Sequence, residues 1–458
     1  LNPGLFPWLF VLAALLLYWP TRDAGFVMDW LGWQYEYNRG GWAGIPDSFG
    51  YPGLHPVLHL GNYTLYWLFG ANSPVWYLVF ASIHGFNAWL LCRLALRLPL
   101  QVPISEKLFI AVSASLLFLL SPYAVEVVVW RVCLHYLMAL MFALLAMHAT
   151  LDYLSEETKR SWWKVQALVL VALFTFEWSL VIPVLLLGLV LVWYFSQKDT
   201  RPLAPLLGRL LAPQVGLWAV YFTANKLRIG DWVGHYGAET HLNVQPLSMM
   251  GNMLRYAVKQ FGFARHWQFP VESQVFGSLD GGWVVWLGTG LLLLGGVAWL
   301  LFFRRLSPRL QWAGASTVWF FVALLPVSNL YFYYLLYSEN DRYGYFASGF
   351  GWLMLLLLLS FLPKMVSRML ALGLIGLSLL LTLQMNRLWT DSEKVYDSLV
   401  EDFRWYDRDE VIILCSPDNY YGVFMFRIIG QINGFNEALE LRRKKPFQGK
   451  MWEVAQYN

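Results

Sequence analysis

Asp29 stands in Gly25-Phe26-Val27-Met28-Asp29-Trp30, with Asp23 upstream and Glu36 downstream. A carboxylate held against apolar and aromatic neighbours near a membrane surface has its pKa raised, which suits it to take a proton from an attacking hydroxyl. An isolated loop aspartate is ordinarily a solvated acid, so the weight on Asp29 comes from its surroundings. Glu126 and Arg131 lie in Ser121-Pro122-Tyr123-Ala124-Val125-Glu126-Val127-Val128-Val129-Trp130-Arg131, an apolar stretch where unpaired charge is expensive. Their spacing of five is looser than the i,i+4 contact of a helix. Mutual pairing therefore competes with a partner elsewhere or, for Arg131, with a bound anion. Glu177, in Phe174-Thr175-Phe176-Glu177-Trp178, is a further acid at the end of an apolar run, where an ordinary pair with a neighbouring Arg or Lys is the alternative to a part in binding.

The densest late polar cluster is Tyr337-Ser338-Glu339-Asn340-Asp341-Arg342-Tyr343-Gly344-Tyr345. A guanidinium at the outer membrane surface grips a lipid phosphate through two parallel hydrogen bonds that Lys cannot reproduce. Arg342 is the first choice for that role, against the alternative of an interfacial Arg reaching for the headgroups. His84, in Ile83-His84-Gly85-Phe86-Asn87-Ala88, is polar at bilayer depth and reads on chemistry alone as a hydrogen bonder in helix packing, since no second ligand lies at metal spacing on its segment. His55 and His59 supply two metal ligands at most. The sequence holds no HExxH, P-loop or GxSxG pattern, so no metal site is read from it.

These residues are carried by apolar segments. With 58% hydrophobic and 14% charged residues, the chain has more apolar side chains than a soluble core of 458 residues hides, and it reads as an all-α polytopic integral membrane protein. Its 25 Trp and 25 Tyr suit two interfacial belts. The net charge of +4 is spread over alternating loops, which excludes a nucleic-acid footprint and points to lipid as a partner. Cys92, Cys133 and Cys415 are too scattered for a disulfide framework or a Cys metal site. Eleven spans are expected, at about 4–20, 75–97, 107–121, 134–153, 164–178, 179–196, 208–226, 281–303, 311–330, 345–363 and 367–386. The first lacks a small-residue cleavage pattern before Thr21 and reads as retained.

With a cytoplasmic N-terminus, each short inside loop is basic: Arg93, Arg97 and Lys107; Lys159, Arg160 and Lys164; Lys198, Arg201 and Arg209; Arg304, Arg305 and Arg309; Lys364 and Arg368. This places the protein in the plasma or inner membrane, with residues 1–386 as the spanning body. The loops 21–74 and 227–281 and a small α/β C-terminal appendage, 387–458, are expected outside. Leu247, Met250, Leu254, Ala257, Val258 and Phe261 recur at helical spacing and predict an amphipathic helix on the membrane surface. In the tail, Val411 to Cys415 reads as a strand, Ser416 to Tyr421 as a turn and Gly422 onward as a helix, and the basic run Arg442 to Lys445 does not disturb the orientation.

Phe26-Val27-Met28-Asp29, the stretch from Asn62-Tyr63-Thr64 through Trp76-Tyr77-Leu78 to His84-Gly85-Phe86-Asn87-Ala88, Ser121-Pro122 with Glu126-Val127 and Trp130, Phe176-Glu177 with Pro183, and Asp341-Arg342-Tyr343-Gly344-Tyr345 occur in an order that resembles a known family. It is the multi-spanning glycosyltransferases of the GT-C fold, in their protein O-mannosyltransferase-like branch. The elements look like that family's Phe-Val-x-Asp-Asp, its second span with His and Asn-Ala, its Pro-x-x-x-Glu-x-Val-x-Trp, its Lys-Glu with a following Pro, and its Glu-Arg-Tyr-x-Tyr. The likeness covers roughly the first 390 residues. Trp30 stands where the family has a second Asp, Phe176 where it has Lys, and the tetratricopeptide tail of some members is missing.

The resemblance implies inverting transfer of a sugar from a polyprenyl-phosphate donor to a glycan or protein hydroxyl outside the membrane. Asp29 would be the general base, with Glu126 also in the catalytic set; Arg342 and Arg131 would hold the donor phosphate. Asp23, His84, Glu177, Asp341 and Tyr343 would line the substrate site. No cofactor is required by this reading, and a divalent cation stays open. Two rivals stand beside it: a lipid or sugar transporter, which also places charges in spans but lacks here the paired broken helices of such folds, and a non-catalytic GT-C-like subunit of a larger membrane complex. An enzyme requires an outer, lipid-accessible cavity lined by Asp29 and Arg342, a transporter a two-sided path, and a subunit a filled interior.

Overall fold

A computed structural model of the chain describes residues 6–27, 29–44, 53–197, 199–232, 245–279, 282–328 and 341–402, and short strands beyond. Helices follow in chain order: α1 Phe6–Tyr18, α2 Asp29–Gly40, α3 Pro56–Phe69, α4 Ser73–Arg97, α5 Ile104–Leu119, α6 Val125–Val129, α7 Leu134–Glu156 and α8 Lys159–Leu173. Then come α9 Ile182–Ser196, α10 Leu203–Ile229, α11 Pro246–Gly262, α12 Phe269–Ser278, α13 Trp283–Phe302, α14 Pro308–Ser328, α15 Asp341–Leu359 and α16 Lys364–Asp402.

All eleven apolar segments fall on helices, but their lengths separate them. A hydrocarbon core about 30 Å thick takes about 20 residues at 1.5 Å each. Among the described residues, eight helices are long and apolar enough to cross a membrane, or nine if α5 and Pro122–Val129, bent by 48°, form one broken span. The expected eleven are therefore not all reached among the described residues. α1 has 13 residues, and α8 has 15 that begin with Lys159, Arg160 and Lys164, leaving too short an apolar run.

α4, α5, α7, α14 and α15 pack as the centre, with α1 against α4. Gly85 permits that last contact: a Cβ there would lie 2.6 Å from Phe10 O, so the backbones approach as small residues allow in helix pairs. α13 lies at the periphery, with Trp283 and Leu301 each 75% exposed, an apolar surface suited to lipid. Ion pairs join the basic hairpin ends: Arg97 with Asp152 at 2.7 Å, Arg309 with Glu106 at 3.0 Å, and Arg201 with Glu157 and Asp199. Helix alternation puts Glu126, Glu177, Asp341 and Arg342 at the opposite end.

In the C-terminal region β1 Glu410–Ile413 runs parallel to β6 Lys450–Glu453, while β2 Asn419–Tyr420 pairs with β3 Val423–Phe424 and β4 Ile428–Ile429 with β5 Ile432–Asn433. Of the strand expected over Val411 to Cys415, Val411 to Ile413 lies in β1 and Leu414 and Cys415 lie outside the described residues. The helix expected from Gly422 does not form across Val423–Phe424 and Ile428–Ile429, where Val, Phe and Ile suit a pleated pairing better. Cys415, Gly422, Arg442 to Lys445 and Tyr337 to Asn340 lie outside the described residues.

Candidate functional site

The first loop is stapled from three directions. The Arg131 backbone N–H donates to Gly25 O at 3.0 Å, Trp130 Nε1 to Val27 O at 3.1 Å and Arg131 Nη2 to Thr21 O at 3.2 Å. Ser73 Oγ donates to Ala24 O at 3.1 Å, and Gly25 N–H to Glu393 Oε2, from α16, at 3.0 Å. Gly25 makes this possible: its φ is +102°, and a Cβ would sit 1.9 Å from Val129 O. Gly25→Ala should therefore cost at least about 2 kcal/mol of stability, read as a lower melting temperature of the detergent-purified protein; an unchanged melting temperature would show that the loop relaxes freely.

The stapled loop hands over to α2. Trp30 is fully buried against Phe26 and Trp76, with ring centroids at 4.7 and 4.6 Å, and its Nε1 donates to Gln34 at 3.1 Å. It anchors the first turn of the helix and is a packing residue. Asp29, one residue earlier, is exposed.

Glu126 and Arg342 meet directly. Glu126, 2% exposed, accepts from Arg342 Nη1 at 2.6 Å through Oε1 and from the Arg342 backbone N–H at 2.8 Å through Oε2. One carboxylate thus neutralises the guanidinium and satisfies a backbone donor left open at the start of α15, where the helix dipole favours negative charge. The guanidinium also lies 4.4 Å from the Tyr343 ring and 5.2 Å from that of Trp130, and Nη2 donates to Tyr343 Oη at 2.9 Å. The Cys133 thiol, in the turn before α7, lies within electrostatic reach of Glu126, Arg342 and Asp29 together, so these three share one neighbourhood. Burial, with the Glu126 charge adding, pushes that thiol well up and keeps it protonated, which removes it as a nucleophile.

From Arg342 an aromatic wall runs back into the bundle. Tyr343 stacks on Trp178 at 5.7 Å and 15°, Trp178 on Phe176 at 4.7 Å, and the His55 ring meets Phe176 at 5.7 Å. His55 Nε2 lies 2.6 Å from Glu177 Oε2. A histidine thus stands against Glu177, where the sequence offers a neighbouring Arg or Lys as the alternative to a part in binding. His135 stands within electrostatic reach of His55, His59 and Arg342.

Asp341 is wholly buried, with Lys259 Nζ 2.6 Å from Oδ1 and Arg265 Nη1 against Oδ2. Lys259, Arg265 and Arg342 also feel Glu126, and Lys259 and Arg265 feel Glu272, so this pair of cations and the Glu126–Arg342 pair form one charged layer. Burial, reinforced by Arg265, lowers the Lys259 ammonium to about 7; burial raises the Glu272 carboxyl. Beside Asp341, a cavity of about 10 Å³ opens between Tyr123, Lys259, Phe320, Leu324 and Gly344, room for one water. It is bounded by Asp341, whereas the expected cavity was to be lined by Asp29 and Arg342.

Three expected site residues have other work. Arg131 is fully buried, donates to the carbonyls of Val128 and Thr21 and lies over Phe80, so it braces the loop. Its spacing to Glu126 is accidental, because Glu126 is taken by Arg342. His84 is buried, with Nδ1 2.9 Å from Tyr345 Oη and Nε2 3.1 Å from Leu119 O; Asn87 Nδ2 donates to Leu137 O at 2.9 Å and to Tyr345 Oη at 3.3 Å. This network ties α4, α5, α7 and α15. His84→Ala should lower stability by about 1–3 kcal/mol, measured as thermal unfolding, and leave donor affinity unchanged. Asp23 is exposed, its side chain pairing with Arg22 at 3.3 Å.

Lys259, Arg265 and the His55–Glu177 pair went unread in the sequence. Asn252, Arg255 and Lys259 form an i, i+3, i+7 polar stripe opposite the apolar one, and that was the available signal. Among the described residues, no three His, Cys, Asp or Glu side chains are grouped to hold a metal ion. No family model, curated protein or solved structure matches the chain.

Proposed function

We propose that the chain is a membrane glycosyltransferase that moves a sugar from a polyprenyl-phosphate donor to an acceptor hydroxyl, with inversion. The carrying observation is the shared neighbourhood of Asp29, Glu126 and Arg342 at the bundle end opposite the basic loops. That end is extracytoplasmic on this reading, with the N-terminus cytoplasmic. Asp29, exposed at the head of a buried-tryptophan anchor, is the general base and takes the acceptor proton. Glu126 positions Arg342 by holding both its backbone and its guanidinium. Arg342 keeps the negative charge on the leaving phosphate in a place where few waters compete, which is where such charges count most. Tyr343 and Trp178 form the wall beside it.

A second reading, the non-catalytic subunit, draws support from one observation: Glu126 and Arg342 are closed on each other beside a cavity with room for only one water. One experiment separates them. The purified protein, given long-chain prenyl-phosphate sugars and a membrane extract as acceptor, should release prenyl phosphate in step with sugar transfer. No release with any of the common donor sugars would overturn the enzyme reading and leave the subunit.

A further inference from the structure

α11 is turned opposite to a helix floating on headgroups. Asn252, Arg255, Tyr256, Lys259 and Gln260 are buried, while Leu247, Met250, Leu254, Ala257, Val258 and Phe261 are only half-buried. The polar stripe faces the bundle and the apolar stripe faces out, beside the exposed apolar surface of α13. Burying cations against an apolar body is costly, and it is met here by placing them around Asp341. Asn252 and Gln260 fix the helix by donating to Ser328 O at 2.8 Å and to Ser348 O at 3.1 Å.

We infer that Lys259 and Arg265 form a binding site for the phosphate of a membrane amphiphile, and that the Asp341 carboxylate occupies it as a resident competitor. The two oxygens of Asp341 each face a different cation, as two oxygens of a bound phosphate would. Arg265 Nη2 is buried with no hydrogen-bond partner among the described residues, and the Arg265 side chain is 8% exposed, which leaves a donor for a third oxygen. Lys259 Nζ stands 5.7 Å over the Tyr123 ring, so the ammonium is fixed and not swinging in solvent. Phe320 and Leu324 form the apolar side of the adjoining cavity. The other charges facing the site are Glu126, Glu272 and Arg342. A phosphate enters by exchanging with the carboxylate, because the cavity alone has room for one water.

The inference deepens the transferase reading and rests on it only for the prenyl nature of the tail. Its test uses the full chain in detergent, with a long-chain prenyl monophosphate and inorganic phosphate as probes and equilibrium binding as the readout. The wild type should bind the prenyl phosphate and be indifferent to inorganic phosphate. Arg265→Gln and Lys259→Gln should each weaken binding roughly 10- to 100-fold, as loss of a charge-assisted bond does, and Lys259→Arg should keep most of it. Asp341→Asn should bind roughly tenfold tighter or more, since the competing anion is gone, a gain that a folding defect cannot imitate. Undiminished binding in Arg265→Gln and Lys259→Gln, or weaker binding in Asp341→Asn, would overturn the site and leave the transferase reading standing. Equal binding of inorganic phosphate would overturn the amphiphile, and no binding of prenyl phosphate to the wild type would overturn both the site and the reading it deepens.

Discussion

Asp29→Asn should lower sugar transfer by about 10²- to 10⁴-fold, the range that a positioned general base contributes, while the protein remains folded. The two halves of that expectation come from the same geometry. Asp29 is exposed and begins α2, where a first-turn acid gains a favourable dipole contribution of about 0.3–1 kcal/mol. Asn keeps the shape and much of the capping capacity but cannot take a proton. A large loss of rate with a small loss of melting temperature is therefore the signature of a base. Asp23→Asn supplies the control, because Asp23 is exposed and paired only loosely with Arg22, an interaction worth about 0–1 kcal/mol. Transfer undiminished in Asp29→Asn would remove Asp29 from the role and shift attention to the His55–Glu177 pair, where an oriented imidazole already stands 2.6 Å from its carboxylate.

The body of the fold was legible because apolar runs in a membrane-like chain are helices almost by necessity: every backbone N–H and C=O must be satisfied inside the segment. Run length was less legible, since α1 has 13 helical residues among those described and the 15 of α8 include Lys159, Arg160 and Lys164. The site was readable by residue type and unreadable by partner. Glu126 sits five positions from Arg131 and 216 from Arg342, and only the folded chain decides between them. Local spacing, looser than the i,i+4 contact, left the choice open. The Lys259 cluster was hidden for a different reason. An apolar stripe on an amphipathic helix is normally assigned to the core or the lipid, and its polar face to water. Here α11 has its polar face against the bundle, so the charged residues assigned to solvent carry the interior. Trp30 was visible as a departure from a family pattern, but its part as the anchor of Asp29 needed the packing with Phe26 and Trp76.

Glu126→Gln should cost about 3–5 kcal/mol of stability, the penalty for leaving a buried cation without its counter-charge. The amide adds an N–H group where one of two donors, Arg342 N–H or Nη1, requires an acceptor. Arg342→Gln should cost a similar amount by stranding the carboxylate. The double variant Glu126→Gln with Arg342→Gln is the informative one. Two neutral amides facing each other carry no stranded charge, so melting temperature should recover most of what either single change loses, and the difference is the coupling between the two residues. If the pair only braces α15 against α6, transfer should recover together with stability. If Arg342 holds the leaving phosphate, transfer should stay low in a protein that melts nearly as the wild type does, because Gln cannot supply the positive charge. Recovery of both in the double variant would therefore confine Glu126 and Arg342 to scaffolding and leave Lys259 and Arg265 as the cations able to meet a phosphate at this end of the bundle.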